Sequence, residues 1–325
     1  MSPQQPTIVF LDAATYGDTS LKRFTDKWDC TIYQVTRPDE TIERLAGRSV
    51  TVTNKVVIDK TVLSSPEARD LKLIVVAATG TDIVDREEAS RRGVKVCNVP
   101  GYATQSVAQF TLALILELAT QAGKYVGVVK AGEWQKSPVF SLLTFPTIEL
   151  SGKKLGIVGY GSIGQAVAQM ARGFGMNILV AARPGATGPI PQGRIALDQL
   201  FREADVISLH CPLTLETRNV INEHSLALMK PTVFLINTAR GALIDEGALI
   251  ASLRKKQIAA AALDVITKEP PPADHPIILA AKELDNLIVT PHTAWSAREP
   301  RERLLQEVEE NIAAFLQDRD RNRVA

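Results

Sequence analysis

Leu155-Gly156-Ile157-Val158-Gly159-Tyr160-Gly161-Ser162-Ile163-Gly164 is an apolar run closed by three glycines in the spacing G-x-G-x-x-G. The apolar half has the length and composition of a buried strand, and the residues from Ser162 to Phe174 continue at helical spacing. A glycine string alone is weak evidence. Between a strand and a helix it marks the phosphate-binding turn of a dinucleotide fold. Gly159 permits the tight turn, Gly161 lets the backbone approach a pyrophosphate, and Gly164 lets helix and strand pack closely. The free N–H groups and the dipole at the helix start favour phosphate there.

Downstream, apolar β-branched runs recur at Ile178–Ala181, Val206–Leu209, Val233–Ile236, Ile258–Leu263 and Leu287–Val289, with helical or turn-rich connections. With the first run they make the six strands of a complete dinucleotide fold. Upstream, Thr7–Leu11, Cys30–Gln34, Val50–Thr53, Leu73–Val76 and Val94–Val96 repeat the pattern around helix-length segments such as Asp39–Ala46 and Asp82–Arg91. This predicts an α/β chain of two Rossmann-like domains with parallel sheets. The final segment, Ala297–Asp318, carries Leu304, Val308, Ile312 and Phe315 at helical spacing among many charges. Such an amphipathic helix is expected to pack back on the first domain. That domain is then discontinuous, 1–100 with 297–325, and flavodoxin-like; residues 101–296 form the dinucleotide-binding domain.

Composition bounds the rest. The 325 residues hold 37 Lys+Arg and 36 Asp+Glu, a formal net charge of +1. That balance argues against a partner such as nucleic acid or an anionic membrane. Cys30, Cys97 and Cys211 are odd in number and far apart, and only four His are present. No metal site and no disulfide framework is expected, and a cytoplasmic location fits. The N-terminus lacks a basic region followed by an apolar stretch, so it does not resemble a signal peptide. Val107–Ala119 is the most apolar run, too short to span a bilayer and interrupted by Gln109 and Glu117. A helix opened by Thr104 or Ser106 as cap is expected there. It is either buried in the chain's own core or a dimerisation helix. The second is favoured, because a helix joining two domains has limited core to hide in.

The end of the second strand bears on the dinucleotide. NAD-preferring folds place a carboxylate there to accept from the adenosine ribose. Here the chain runs Ala181-Ala182-Arg183-Pro184-Gly185. Ala182 removes the repulsion of a 2′-phosphate, and Arg183, with Arg194 as a possible second contact, supplies a cation for it. NADP(H) is therefore expected in preference to NAD(H).

Three chemically equipped residues follow later strands: Arg240 in Asn237-Thr238-Ala239-Arg240-Gly241, Glu269 in Lys268-Glu269-Pro270-Pro271, and His292 in Pro291-His292-Thr293-Ala294-Trp295. The carboxyl ends of strands line the ligand crevice of an open parallel sheet, so all three can converge. Singly, each has a plain alternative: a surface salt bridge, a solvated loop, a core histidine.

Together these motifs resemble the D-isomer-specific 2-hydroxyacid dehydrogenases, in the branch of hydroxypyruvate/glyoxylate reductases and D-glycerate dehydrogenases. Ala262-Leu263-Asp264-Val265, Ala78-Thr79-Gly80-Thr81-Asp82 and Gly101-Tyr102-Ala103-Thr104-Gln105-Ser106-Val107-Ala108 also fit, and the resemblance covers essentially the whole chain. It implies NAD(P)H-dependent reduction of a small 2-oxoacid, two domains closing over the substrate, and a homodimer built largely on the dinucleotide domain. It implies Arg240, Glu269 and His292 as the catalytic triad. His292 as imidazolium donates a proton to the C2 oxygen, Glu269 holds its tautomer and favours the charged ring, and Arg240 binds the carboxylate and polarises the ketone. It implies cofactor contacts from Thr104, Gly159, Tyr160, Gly161, Ser162, Ile163, Gly164, Arg183, Cys211, Pro212, Thr217, Thr238, Ala239 and Asp264, the last accepting from the nicotinamide carboxamide. Substrate contacts are implied for Asn54, for the amides of Ala78, Thr79 and Gly80, and for Trp295, beside Arg240 and His292. Ala182 departs from the acidic residue of NAD-using members. Two other readings stay open: a non-enzymatic dinucleotide sensor resembling a corepressor, and a different hydride donor, phosphite or formate, on the same scaffold.

Overall fold

The computed structural model describes residues 5–325, which divide into two compact units. One comprises the residues up to Ala103 together with Ser296–Ala325; the other is Thr104–Trp295.

The first unit is built on a five-stranded parallel sheet. Its strands are β1 (Thr7–Phe10), β2 (Asp29–Ile32), β3 (Val50–Thr53), β4 (Leu73–Val76) and β5 (Lys95–Cys97). They lie in the order β2-β1-β3-β4-β5. This is the flavodoxin-like order, as expected. β3 and β4 are buried at every position, which is why they lack apolar–polar alternation in sequence. Val9, Leu11, Ile74, Val76 and Val96 enter one apolar cluster with Leu45, Ile58 and Leu63. The helix Arg298–Leu316 contributes buried Leu304, Leu305, Val308 and Ile312 to this unit and packs on β4. Its Asn311 donates to Asn98 O (2.9 Å), and Val96 and Ala325 are joined by backbone bonds. The C-terminal segment is therefore an integral part of the first unit.

The second unit carries a six-stranded parallel sheet. The strands are β6 (Lys154–Val158), β7 (Asn177–Val180), β8 (Val206–Leu209), β9 (Phe234–Asn237), β10 (Ala260–Leu263) and β11 (Leu287–Val289). They lie in the order β11-β10-β9-β8-β6-β7. A parallel bridge between Ala181 and Ile195 adds a minimal further strand beyond β7. Counting it, the chain order across the sheet is the 3-2-1-4-5-6 of a dinucleotide fold with one strand appended. Side chains alternate faces at period two. Leu155, Ile157, Phe234, Ile236, Ala260 and Ala262 face one cluster, and Val158, Leu209, Leu235, Ala261 and Leu263 the other. Both faces are covered, as a parallel sheet requires.

The helix Thr104–Thr120 lies in the first of these clusters and packs against the helix Ser162–Gly173 and on β9 and β10. Val107, Ala108, Thr111, Leu112, Leu114, Ile115, Leu118 and Ala119 are buried within the chain itself. Its apolar face covers the sheet of its own unit, so the burial of these side chains needs no second chain. Ser106 is not a cap but lies within the helix, where its hydroxyl donates to Ala294 O (2.8 Å). The helix that follows, Ala122–Lys130, has no buried residue. Among the described residues no single helix is long and apolar enough to cross a membrane.

Candidate active site

The phosphate turn follows β6. Gly159 has φ +96°, and a Cβ there would lie 2.4 Å from Cys211 N. At Gly164 a Cβ would lie 2.2 Å from Gly159 O. These two glycines answer to the protein's own packing. Gly161 does not: a Cβ there meets nothing within 4 Å, and no side chain caps the helix that begins at Ser162. Open space beside an uncapped helix start is what a pyrophosphate needs, so the turn fits a dinucleotide. Tyr160 and Ile163 are half-buried, and Ser162 is exposed.

Around this turn, Cys211 is buried and desolvation pushes its thiol up to about 11, consistent with packing rather than reactivity. Pro212 O accepts from the buried Thr217 hydroxyl (2.7 Å), which fixes the loop after β8. His210, one residue before Cys211, has its imidazole pushed down to about 4 by burial, and Nε2 pairs with Ser208 Oγ at 2.8 Å. Beyond β7, Arg183 is exposed. Arg194 Nη1 donates to Ala181 O (2.9 Å), with its guanidinium 5.8 Å from the Tyr160 ring centroid. Both arginines thus flank the end of β7.

The catalytic candidates come from β9, β10 and β11, which are consecutive in the sheet. The register aligns Asn237 with Leu263 and Leu263 with Val289, so the three chain exits stand side by side. At β9, buried Asn237 accepts from Ala239 N (3.0 Å) and donates to Arg240 O (2.9 Å), closing a local turn that aims Arg240. Arg240 Nη1 donates to Ala239 O (2.8 Å). Thr238 is buried, its hydroxyl 3.0 Å from that of Thr111. At β10, Glu269 Oε1 accepts from Ile266 N (2.9 Å), and Oε2 stands 2.5 Å from His292 Nδ1. That is the geometry of an imidazole N–H donated to a carboxylate.

His292 adopts φ +54°, the left-handed region that costs a side-chain-bearing residue roughly 1–3 kcal/mol. Such a conformation persists only where its surroundings over-determine it. Here Asp264, 1 % exposed, does so. Its carboxylate accepts from Thr290 Oγ1 (2.6 Å), Thr293 N (2.9 Å) and Ala294 N (2.8 Å), while its backbone carbonyl accepts from His292 N (2.8 Å). Sequence reasoning assigned Asp264 to the cofactor and missed that its carboxylate grips the His292 turn. No motif signals a bond between residues on separate strands. Trp295 closes this segment, half-buried.

In the first unit, Asn54 and Ala78–Gly80 follow the adjacent ends of β3 and β4. Asn54 is buried, its backbone N–H donates to Asp12 (2.9 Å), and Lys55 N donates to the same carboxylate (2.6 Å). Burial raises the Asp12 carboxyl despite these amide bonds. The Thr79 hydroxyl donates to Val99 O (2.9 Å) and Asn98 Nδ2 to Thr79 O (2.7 Å), which ties that loop to the segment after β5.

A parallel sheet with a phosphate turn at one strand end and an Arg–Glu–His set at three others defines a dinucleotide-dependent oxidoreductase. Residues 112–294 match the sequence profile of the D-isomer specific 2-hydroxyacid dehydrogenase NAD binding domain. A glycerate dehydrogenase of Methylorubrum extorquens is 38% identical over 97% of this chain and 98% of its own. A glyoxylate reductase of Thermococcus litoralis is 42% identical over 81% of this chain and 78% of its own. A crystal structure of a Thermus thermophilus protein superposes with a TM-score of 0.85 at 34% identity, covering 98% of this chain and 100% of that one. The chain belongs to the D-isomer specific 2-hydroxyacid dehydrogenase family. It is an enzyme of that family and uses a nicotinamide dinucleotide.

Proposed function

We propose that this enzyme reduces a small 2-oxoacid of the glyoxylate or hydroxypyruvate class to the D-2-hydroxyacid, with NADPH preferred to NADH. The observation that carries the reading is the 2.5 Å pairing of His292 Nδ1 with Glu269, beside the turn that carries Arg240. The names of the glycerate dehydrogenase and glyoxylate reductase relatives support the substrate class.

When bound, the dinucleotide supplies a hydride. The residues of the chain do the rest. Arg240 presents a planar fork of donors to the substrate carboxylate and polarises the C2 carbonyl. With Nδ1–H committed to Glu269, the ring is fixed so that Nε2 is the proton-bearing atom aimed at substrate. Nε2–H protonates the C2 oxygen as negative charge develops on it. Glu269 stays hydrogen-bonded to Nδ1–H throughout, which holds the ring in place for the transfer. The preference for NADPH rests on Ala182 and Arg183 at the end of β7, with Arg194 alongside.

A homodimer belongs to the same proposal. Val126, Val129, Trp134, Val139, Phe140 and Leu143 are exposed along one continuous stretch, Phe140 and Leu143 each at 91%. A run of large apolar side chains of this length calls for a covering partner, and a second copy fits it.

The direct test is a spectrophotometric panel of 2-oxoacids, each with NADPH and with NADH. Turnover is expected to be highest with glyoxylate or hydroxypyruvate and NADPH. A higher kcat/KM with NADH would overturn the cofactor preference. Turnover confined to larger 2-oxoacids would overturn the substrate class.

A further inference from the structure

Glu246 opens the helix Glu246–Arg254 and stands outside the Arg240–Glu269–His292 set. Its side chain is only 12% exposed and spends both oxygens on one residue. Oε1 accepts from Thr267 N (2.7 Å) and Oε2 from Thr267 Oγ1 (2.9 Å). Thr267 lies in the turn from Ile266 to Glu269. Within that turn Ile266 N donates to Glu269 Oε1, and Glu269 Oε2 meets His292 Nδ1. A second restraint reaches the same turn from the same segment. A Cβ on Gly241, next to Arg240, would lie 2.0 Å from Ile266 C and 2.5 Å from Thr267 N, so the two backbones are in direct contact. His275 backs the carboxylate, with Nε2 3.7 Å from Glu246 Oε2 and a side chain 6% exposed.

We infer that Glu246 is a positioning residue for the reaction: it holds Thr267, and through it the turn that presents Glu269 to His292, from the segment that carries Arg240. The inference rests on the roles proposed above for Glu269 and His292. A plainer role exists for an acidic residue in a first helical turn, namely favourable interaction with the helix dipole. That role explains no bond to Thr267. Thr267 is exposed, so water can replace Glu246 as its partner at small cost in stability. What the replacement loses is placement, and a displacement of about 1 Å near the reacting atoms can cost about 10²-fold in rate.

The test is a double-mutant cycle on kcat and KM, run with the 2-oxoacid and dinucleotide of highest kcat/KM in the panel. Glu246→Ala is expected to lower kcat by about tenfold or more, with KM for the 2-oxoacid within about twofold, because the loss reaches Glu269 rather than Arg240. Glu246→Gln, which keeps one acceptor for Thr267, recovers part of that loss. In a Glu269→Gln background, Glu246→Ala lowers kcat by less than about twofold further, since residues acting through one another are not additive. An equal loss in both backgrounds would overturn the inference, as would an unchanged kcat in Glu246→Ala. If Glu269→Gln itself leaves kcat unchanged, the underlying reading of the site fails, a distinct result. Should Glu246→Ala not fold, Thr267→Val removes the hydroxyl link alone. It is expected to lower kcat several-fold with the same loss of effect in the Glu269→Gln background; additivity there overturns the inference.

Discussion

His292 combines a chemical demand with a conformational one. Its imidazole must face Glu269, and its backbone must sit at φ +54° to do so. The two demands separate by substitution. Asn tolerates the left-handed region and Ala does not. Both His292→Asn and His292→Ala are expected to lose about 10²–10⁴-fold in kcat, the usual cost of removing a general acid. His292→Asn is expected to be the more stable of the two variants, by roughly 1 kcal/mol in urea unfolding. Near-normal kcat in either variant would remove His292 from the mechanism. Arg240→Lys tests the neighbouring demand. An ammonium cannot reproduce the bidentate planar fork, so kcat/KM should fall by about 10²-fold or more while thermal stability is retained.

At the scale of elements, the turn after β6 shows glycines of two kinds. Gly164→Ala places a methyl group 2.2 Å from Gly159 O, a backbone atom that cannot move aside cheaply. It is expected to destabilise the apoprotein by about 1–3 kcal/mol, as overpacking does. Gly161→Ala places a methyl group in open space, so unfolding should shift by no more than about 0.5 kcal/mol. The dinucleotide Kd, read by fluorescence titration, should weaken by about tenfold or more, roughly 1.4 kcal/mol. Equal stability in both variants would contradict this division. The carboxyl end of β8 adds a pH dependence. Burial lowers the His210 imidazole from 6.5 to about 4, so it stays neutral in the fold while an unfolded chain takes up a proton below 6.5. Stability attributable to His210 is thus complete above pH 6.5 and is lost as pH falls toward 4. His210→Gln should flatten the Tm–pH curve in that window. Parallel curves for the two proteins would show that the ring is not neutral there.

For the whole molecule, the chain crosses between its two units at Ala103–Thr104 and again at Trp295–Ser296. The helix Thr104–Thr120, first element after the first crossing, is absorbed into its own unit's core, so the apolar surface open to a partner lies further along, from Val126 to Leu143. Light scattering after size exclusion is expected to give twice the chain mass. Phe140→Asp with Leu143→Asp is expected to give a monomer, because charge in a desolvated interface costs several kcal/mol. A dimer that survives both changes would place the interface elsewhere.

The fold class, the dinucleotide turn and the strand ends that bear Arg240, Glu269 and His292 are legible along the chain. Those features are local: a strand's composition, a glycine spacing and a residue's distance from a strand end are all written along the chain. Sheet order then follows from parallel crossovers, which leave few topologies open. Other features lie across the chain and follow only from the packed fold. It decided that Val107–Ala119 faces inward, because the cover of an apolar face depends on which helix and strands pack beside it. It decided that Ser106 reaches Ala294, that Asp264 grips the turn of His292, and that Glu246 grips Thr267. Each is a bond between polar groups on separate elements. Where the donor is buried or half-buried, it must find an acceptor once packing has excluded water. Which acceptor stands within reach is a property of the packed fold.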